Sequence, residues 1–381
     1  MESLFVDPAG IEIMAQKGQY LILKTDPIKA PAANILKQQT LSIGGECAVS
    51  RKVATGQAPD TPVILLATRR QYERLIESLR HQYFGLNALA TEIEQYLRRI
   101  STAQTFQIGL QKYQTGRKTL VMGILNVTPD SFYDGARNFK ASTAIETAFQ
   151  MESEGADIID IGGESTRPGS DPISAEEEIA RLQPVLEHLK TKLKIPISVD
   201  TYKSSVAEWA LKNEAVIIND ISGLNFDPQM AKIIAKYKAG VILMHIKGTP
   251  KNMQTNPHYD NLIDEIISYL SDSIQKGCRA GIDESRIFID PGIGFGKTVH
   301  DNYRIVHYLE EFKSLGFPIL VGPSRKSFIG QILDLPPAER LEGTLAAVTA
   351  SILNGASIVR VHDVKAAVQA VKIADAIVGI Q

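Results

Sequence analysis

Cysteine is nearly absent from this chain of 381 residues. Only Cys47 and Cys278 occur, too few for a disulfide framework and too far apart for a metal-ligand spacing, so two buried free thiols in a reducing cytoplasm are expected. Long apolar runs are missing as well: none approaches the roughly 18 residues of a membrane span. The opening MESLFVDPAGIEIMAQKG has no basic stretch ahead of an apolar one, so neither membrane insertion nor secretion is expected. A charge imbalance is also lacking. Lys plus Arg number 41 against 43 Asp plus Glu, a net −2, which gives no reason to expect nucleic acid or an acidic membrane surface as partner. With 44% hydrophobic and 22% charged residues the chain is neither disordered nor low in complexity. Its length fits one large domain or a large one with a small companion.

From about residue 117 onward, short β-branched apolar runs alternate with amphipathic stretches. The runs are TLVMGIL (119–125), ADIIDIG (156–162), IPISVD (195–200), AVIIND (215–220), GVILMH (240–245), RIFID (286–290), FPILVG (317–322) and ASIVRVH (356–362). Apolar for nearly their whole length, they predict buried parallel strands covered by helices. Between them lie helical segments such as 143–156, 174–193, 261–281, 300–316 and 363–379. The segment 174–193 starts behind a Ser174 N-cap with Glu177 at the capping-box position. Eight strand–helix units in about 265 residues predict an α/β fold, a TIM (β/α)8 barrel over 117–381. A doubly wound open sheet is the alternative, and no G-x-G-x-x-G follows the first strand to favour it. Residues 1–116 do not continue the repeat and are expected to form a smaller α/β N-terminal domain of unknown role. Helices are expected around 31–45, 69–85 and 87–100, with a strand at 63–68 and a connector over 101–119.

All eight predicted strands end in polar residues: Asn126, Glu164, Asp200, Asn219 with Asp220, His245, Asp290, Ser324 to Lys326, and Arg360 with His362. In a barrel these ends converge on one mouth. Polar residues also cap the helices that follow strands, but eight together favour a ligand site. The loop LNVTPDSFYDGARN (125–138) is long and polar, which marks a functional loop. GGESTRPGSDPIS (162–174) brings Thr166 and Arg167 to the rim, where Arg suits an anion; pairing of Arg167 with Glu164 is the competing use. Asp200, Asn219 and Asp290 offer the acceptors and donors that suit a heterocycle bearing several N–H groups, while binding of Mg²⁺ or Zn²⁺ is an equal alternative at this point. DPGIGFGKT (290–298) lacks the Walker spacing, having Pro291 where a glycine is needed. It reads instead as a glycine turn bringing Phe295 close to a ligand. GPSRKS (322–327) supplies two cations, and Arg360 and His362 stand at the last strand, near the usual phosphate pocket of barrels.

Taken in order, LNVTPDSFYDGARN, GGESTRPGSDPIS, SVDT, NDISG, LMHIKGTPKNMQ, IDPGIGFGKT, GPSRKSFIG and VRVHDV resemble the signatures of the dihydropteroate synthase family over roughly 120–364. The resemblance implies a folate-biosynthetic transferase that joins 6-hydroxymethyl-7,8-dihydropterin diphosphate to 4-aminobenzoate and releases pyrophosphate. It further implies that Asp200, Asn219 and Asp290 hold the pterin edge, that Met244 packs on the ring, and that Lys326 reaches it from one side. Asn126 is implied as a ligand of Mg²⁺ on the diphosphate, with Arg360 and His362 gripping its oxygens. Thr166, Arg167, Pro168, Phe295 and Ser327 are implied in the aminobenzoate pocket, with Phe132 and Asp134 arriving on the first loop. The implied catalytic set is Asn126, Asp134, Arg167, Lys326, Arg360 and His362, in a homodimer that binds only small molecules. Two rivals remain. A pterin-binding methyltransferase domain would share the acidic rim without needing the leaving-group residues, and a non-catalytic pterin-binding protein would need none of them.

Overall fold

The computed structural model describes residues 7, 10–11, 14, 17–55, 57, 60–101, 103–128 and 137–379. They divide into two compact units, with the boundary after Thr102.

In the first unit, a three-stranded antiparallel sheet has Ile64–Thr68 between Tyr20–Lys24 and Glu46–Ala48. Helices Ala30–Ser42, Arg69–Leu79 and Leu86–Ser101 accompany it. Leu36, Leu65, Tyr72, Leu75, Leu79, Ile93 and Leu97 belong to one buried core. Thr68 starts its helix with a full capping box, its hydroxyl accepting from the Gln71 N–H while the Gln71 side chain accepts from the Thr68 N–H. This is the expected small α/β domain.

The second unit contains the eight predicted strands: β1 (Leu120–Asn126), β2 (Ile158–Gly162), β3 (Ile197–Asp200), β4 (Ile217–Asp220), β5 (Gly240–Met244), β6 (Ile287–Asp290), β7 (Leu320–Val321) and β8 (Ile358–Val361). They pair in parallel in the order β6-β5-β4-β3-β2-β1-β8-β7. A parallel bridge between Ile289 and Ile319 links β6 to β7 and closes the barrel. Each strand leads to a helix, and the pattern is the TIM architecture. Side-chain parity sorts the strands. Outward residues such as Val121, Ile159, Val199, Ile218, Val241, Ile289 and Val359 form the large core with the surrounding helices. Inward residues Leu120, Met122, Ile158, Ile217, Ile242, Phe288, Leu320 and Ile358 fill the lower interior. Higher up, the same inward parity turns polar.

Two expectations change. Residues 103–116 are not a plain connector but contain a hairpin, Thr105–Ile108 with Gln111–Gln114. Its Phe106 and Ile108 are buried in the inward cluster, Phe106 edge-on to Phe288 at 5.5 Å. The hairpin belongs to the barrel unit, so the boundary falls at 102 rather than 116. The helix expected over 300–316 is an α-helix, Val299–His307, followed by a 3₁₀ stretch, Leu309–Leu315. At Ser174 the hydroxyl accepts from the Glu177 N–H, while the Glu177 carboxylate pairs with Arg181 instead.

Candidate active site

Strand register sets the first layer of the mouth. Asn126 lies opposite Gly162, Gly162 opposite Asp200, and Asp200 opposite Asn219, so three polar side chains and a glycine stand at one level. Gly162 leaves room there. A Cβ at that position would sit 3.7 Å from the Asn126 Oδ1 and 3.9 Å from the Asp200 Oδ2, so both oxygens face the same space.

One layer below, Asp160 is fully buried. Its Oδ2 accepts from Arg360 Nε at 2.6 Å and from Asn219 Nδ2 at 2.9 Å, and Arg360 donates through Nη2 to Asp200 Oδ2 at 2.8 Å. Strands β2, β3, β4 and β8 thus meet in one hydrogen-bonded network. The second oxygen of Asp160 has no partner among the described residues. Sequence reasoning passed over Asp160. Its signal was a lone charge in the apolar run IIDIG, on the inward parity.

The glycines of the β6 loop serve close approach to the β5 loop. Gly292 and Gly296 hold positive φ (73° and 66°), and a Cβ would meet the His245 carbonyl oxygen at 1.9 Å and that of Lys247 at 2.5 Å. No side chain fits. Asp290 is fixed beneath by accepting from the Gly292 N–H at 2.7 Å. Lys297, buried, reaches His245 Nδ1 and the Phe295 carbonyl, each at 2.9 Å. Lys326 donates to the Ile293 carbonyl, its ammonium 4.8 Å from the centre of the Phe295 ring. Met244 is buried with Ile221, Ile246 and Met253, and Tyr202, Phe226 and Phe295 pack against them as an apolar wall.

At the rim, Thr166 is half-buried and Arg167 and Pro168 are exposed. Glu164 does not pair with Arg167; it takes Lys203 and the Tyr202 hydroxyl. His362 Nδ1 and the Ser324 hydroxyl lie 2.9 Å apart. Arg325, counted from sequence as a second cation beside Lys326, is instead neutralised by Asp363 at 2.5 Å. Ser327 is exposed at the start of helix Ser327–Leu333. Phe132 and Asp134 lie outside the described residues.

Burial and mutual charge shape the ionisation of this layer. Burial raises the Asp200 carboxyl to about 7 against the pull of Arg360, and the neighbouring charge of Asp160 adds to the rise. Burial also raises Asp290, opposed by Lys326. Lys326 is pushed down to about 8 by burial, with the carboxylates of Asp290 and Asp200 resisting. His362 falls to about 4 through burial and the charges of Arg360 and Arg325, so near neutrality it is an uncharged imidazole. Asp200, Asn219, Asp290, Lys326 and Arg360 therefore share one electrostatic environment. Among the described residues no three His, Cys, Asp or Glu side chains gather as a metal centre. Asp200 being taken by Arg360, the rim carboxylates suit a ligand edge rather than a resident ion.

Residues 122–362 match the pterin binding enzyme family. A protein of Synechocystis sp. named dihydropteroate synthase is 48% identical over 271 residues, covering 71% of this chain and 94% of that protein. The structure of the enzyme from Clostridium difficile, solved in the presence of pteroic acid, matches with 45% identity and a TM-score of 0.67 over 70% of this chain and 98% of that one. A Halobacterium salinarum protein, named a probable bifunctional folylpolyglutamate synthase/dihydropteroate synthase, is 39% identical over 376 residues. That match takes in 99% of this chain, N-terminal unit included, and 45% of the longer protein.

Proposed function

This chain belongs to the dihydropteroate synthase family, and from that premise we propose how its own side chains divide the work. The reaction condenses 6-hydroxymethyl-7,8-dihydropterin diphosphate with 4-aminobenzoate to give 7,8-dihydropteroate and pyrophosphate. Asp200 and Asp290 accept from the N–H groups of the pterin edge, and Asn219, oriented by Asp160, both donates and accepts. Met244 and its neighbours cover one face of the ring, and Lys326 approaches from the side. The observation that carries this assignment is the network of Asp160, Asn219, Asp200 and Arg360, with Lys326 and Asp290 facing it.

In the chemical step the bond between the exocyclic methylene and the diphosphate oxygen breaks, its electron pair leaving with pyrophosphate. The electron-rich dihydropterin carries the resulting positive charge until the arylamine nitrogen supplies a pair for the new C–N bond and sheds a proton. No covalent intermediate with the enzyme is required. His362, neutral and oriented by Ser324, contributes an N–H donor toward the leaving oxygens, and Arg360 contributes charge. Thr166, Arg167, Pro168, Phe295 and Ser327 shape the aminobenzoate side, while Phe132 and Asp134 lie outside the described residues. Asn126 presents its side-chain oxygen to the space beside Asp200. That suits Mg²⁺ carried in by the diphosphate, since Mg²⁺ is commonly held by one or two side chains plus phosphate oxygens and water. When bound, the ion neutralises charge on the departing pyrophosphate.

Exposed Ile332, Leu333, Leu353, Ile373 and Ile377 lie on helices Ser327–Leu333, Leu341–Leu353 and Val364–Val378. They support a homodimer formed through that face, which the mass in solution tests. A cytoplasmic location suits the free thiols Cys47, buried, and Cys278, half-buried rather than buried as expected. No helix among the described residues is long and apolar enough to cross a membrane. The deciding experiment follows pyrophosphate release with pterin diphosphate, 4-aminobenzoate and Mg²⁺, then with each omitted. Turnover that needs all three supports the assignment. Release that proceeds without 4-aminobenzoate overturns it.

A further inference from the structure

Glu164, Tyr202 and Lys203 have no part in the reaction as derived, yet they form a closely paired charged group on the rim. The Lys203 ammonium bridges the Glu164 and Glu178 carboxylates, the latter at 2.5 Å, and Tyr202 donates its hydroxyl to the other Glu164 oxygen at 2.7 Å. Glu178 lies in the first turn of helix Ala175–Leu189 and is buried. Gly163 admits it there, since a Cβ would meet its side chain and carbonyl oxygen at 3.1 Å.

Such a cluster is a poor device for stability alone. Two carboxylates and one ammonium taken out of water pay a desolvation cost that apolar packing of equal volume would avoid. Its effect is geometric. Glu164 stands two residues before Thr166 and three before Arg167, while Lys203 stands three residues after Asp200 at the start of helix Ser204–Lys212. The ammonium therefore ties the root of the β2 loop to the root of the β3 loop. Asp200 itself is hydrogen-bonded from the opposite side of the barrel, by Arg360 at 2.8 Å.

We propose that Lys203 is a positioning residue for the second substrate: by clamping Glu164 between β3 and helix Ala175–Leu189, it fixes the segment from which Thr166 and Arg167 meet the aromatic amine and its carboxylate. The proposal rests on the synthase assignment above, which the omission experiment tests separately on the wild-type chain. A misplacement of about 1 Å at a positioning contact can cost on the order of a hundredfold in rate. Full-length Lys203→Met is expected to raise KM for 4-aminobenzoate about tenfold or more, while KM for the pterin diphosphate stays within about twofold. Lys203→Arg, which restores a cation, is expected to recover most of the loss. Glu164→Gln keeps the shape and the Tyr202 bond, and is expected to reproduce the selective rise; it decides the matter if Lys203→Met does not fold. A rise in both KM values together, or a lower melting temperature with both unchanged, would overturn the proposal.

Discussion

Asp160→Asn is the most informative single substitution, because the side chain keeps its volume and loses only its charge. Asp160 Oδ2 now accepts from Arg360 at 2.6 Å and from Asn219 at 2.9 Å. An amide oxygen can take both places, but the bond to Arg360 is no longer an ion pair, a loss of about 1–2 kcal/mol. The new NH₂ group falls where Oδ1 has no partner, and an unsatisfied buried donor costs about 1–3 kcal/mol. A total of about 2–5 kcal/mol should appear in urea denaturation. The anchor shared by Arg360 and Asn219 is also weakened, so kcat/KM for the pterin diphosphate should fall about 10–100-fold. The pH profile separates this account from simple destabilisation. Asp160 raises the Asp200 carboxyl by like charge while Arg360 lowers it. With Asp160 neutralised, Asp200 loses the like charge beside it and keeps Arg360, so the acid limb of kcat/KM should move below its wild-type position near pH 7. An acid limb that stays in place or moves upward would refute the network as drawn.

Other outcomes follow from the same geometry. Wild-type kcat/KM for the pterin diphosphate should be bell-shaped. It rises through about pH 7 as Asp200 becomes the ionised acceptor and falls above about pH 8 as Lys326 loses its proton; a flat profile from pH 6 to 9 would contradict both assignments. Asn126→Ala should lower turnover about 10²–10³-fold, the scale of a lost preorganised contact, and a loss below about tenfold in steady-state assays removes it from the leaving-group machinery. Phe106→Ala should destabilise the barrel unit by about 3–5 kcal/mol in denaturant titration, with kcat unchanged because the hairpin is remote from the polar layer; unaltered stability would mean that it does not plug the interior. A chain beginning at Ala103 should stay active, whereas one beginning at Arg117 forfeits the Phe106 and Ile108 burial and should melt lower; equal melting temperatures would contradict the boundary at 102.

Most of the barrel was legible because its strands are uniformly apolar and end abruptly in polar residues, a pattern that local sequence displays. All eight runs became strands, and Asp200, Asn219, Asp290, Lys326 and Arg360 fell into one environment. What escaped was information held between elements. Asp160 is a strand residue whose meaning depends on inward parity and on Arg360, two hundred positions away. Lys297 read as part of a glycine turn, and only the approach of two loops buries it against His245. Arg325 was indistinguishable from Lys326 until Asp363 was seen to take it. The hairpin at 105–114 read as a connector because its strands are short and polar outside Phe106 and Ile108, and its stability comes from the barrel interior it enters.

The charges of the upper layer explain why one mouth can hold a base-like ring and still expel an anion. Asp160, Asp200 and Asp290 stand close to Arg360 and Lys326, and burial, with the like charge of Asp160 adding to it, lifts the carboxyl of Asp200 against the pull of Arg360. Under the proposed assignment, the N–H edge of the pterin replaces the carboxyl proton as the partner of Asp200. On that reading the diphosphate lies where the acidic layer gives way to donors and cations, beside Asn126 and Arg360 and toward Arg167 and His362. The breaking C–O bond then spans the boundary between the two regions, so the negative layer that binds the ring also favours positive charge growing on its methylene. On that assignment the same arrangement binds the substrate and polarises the bond that must break, which is the preorganisation expected of electrostatic catalysis.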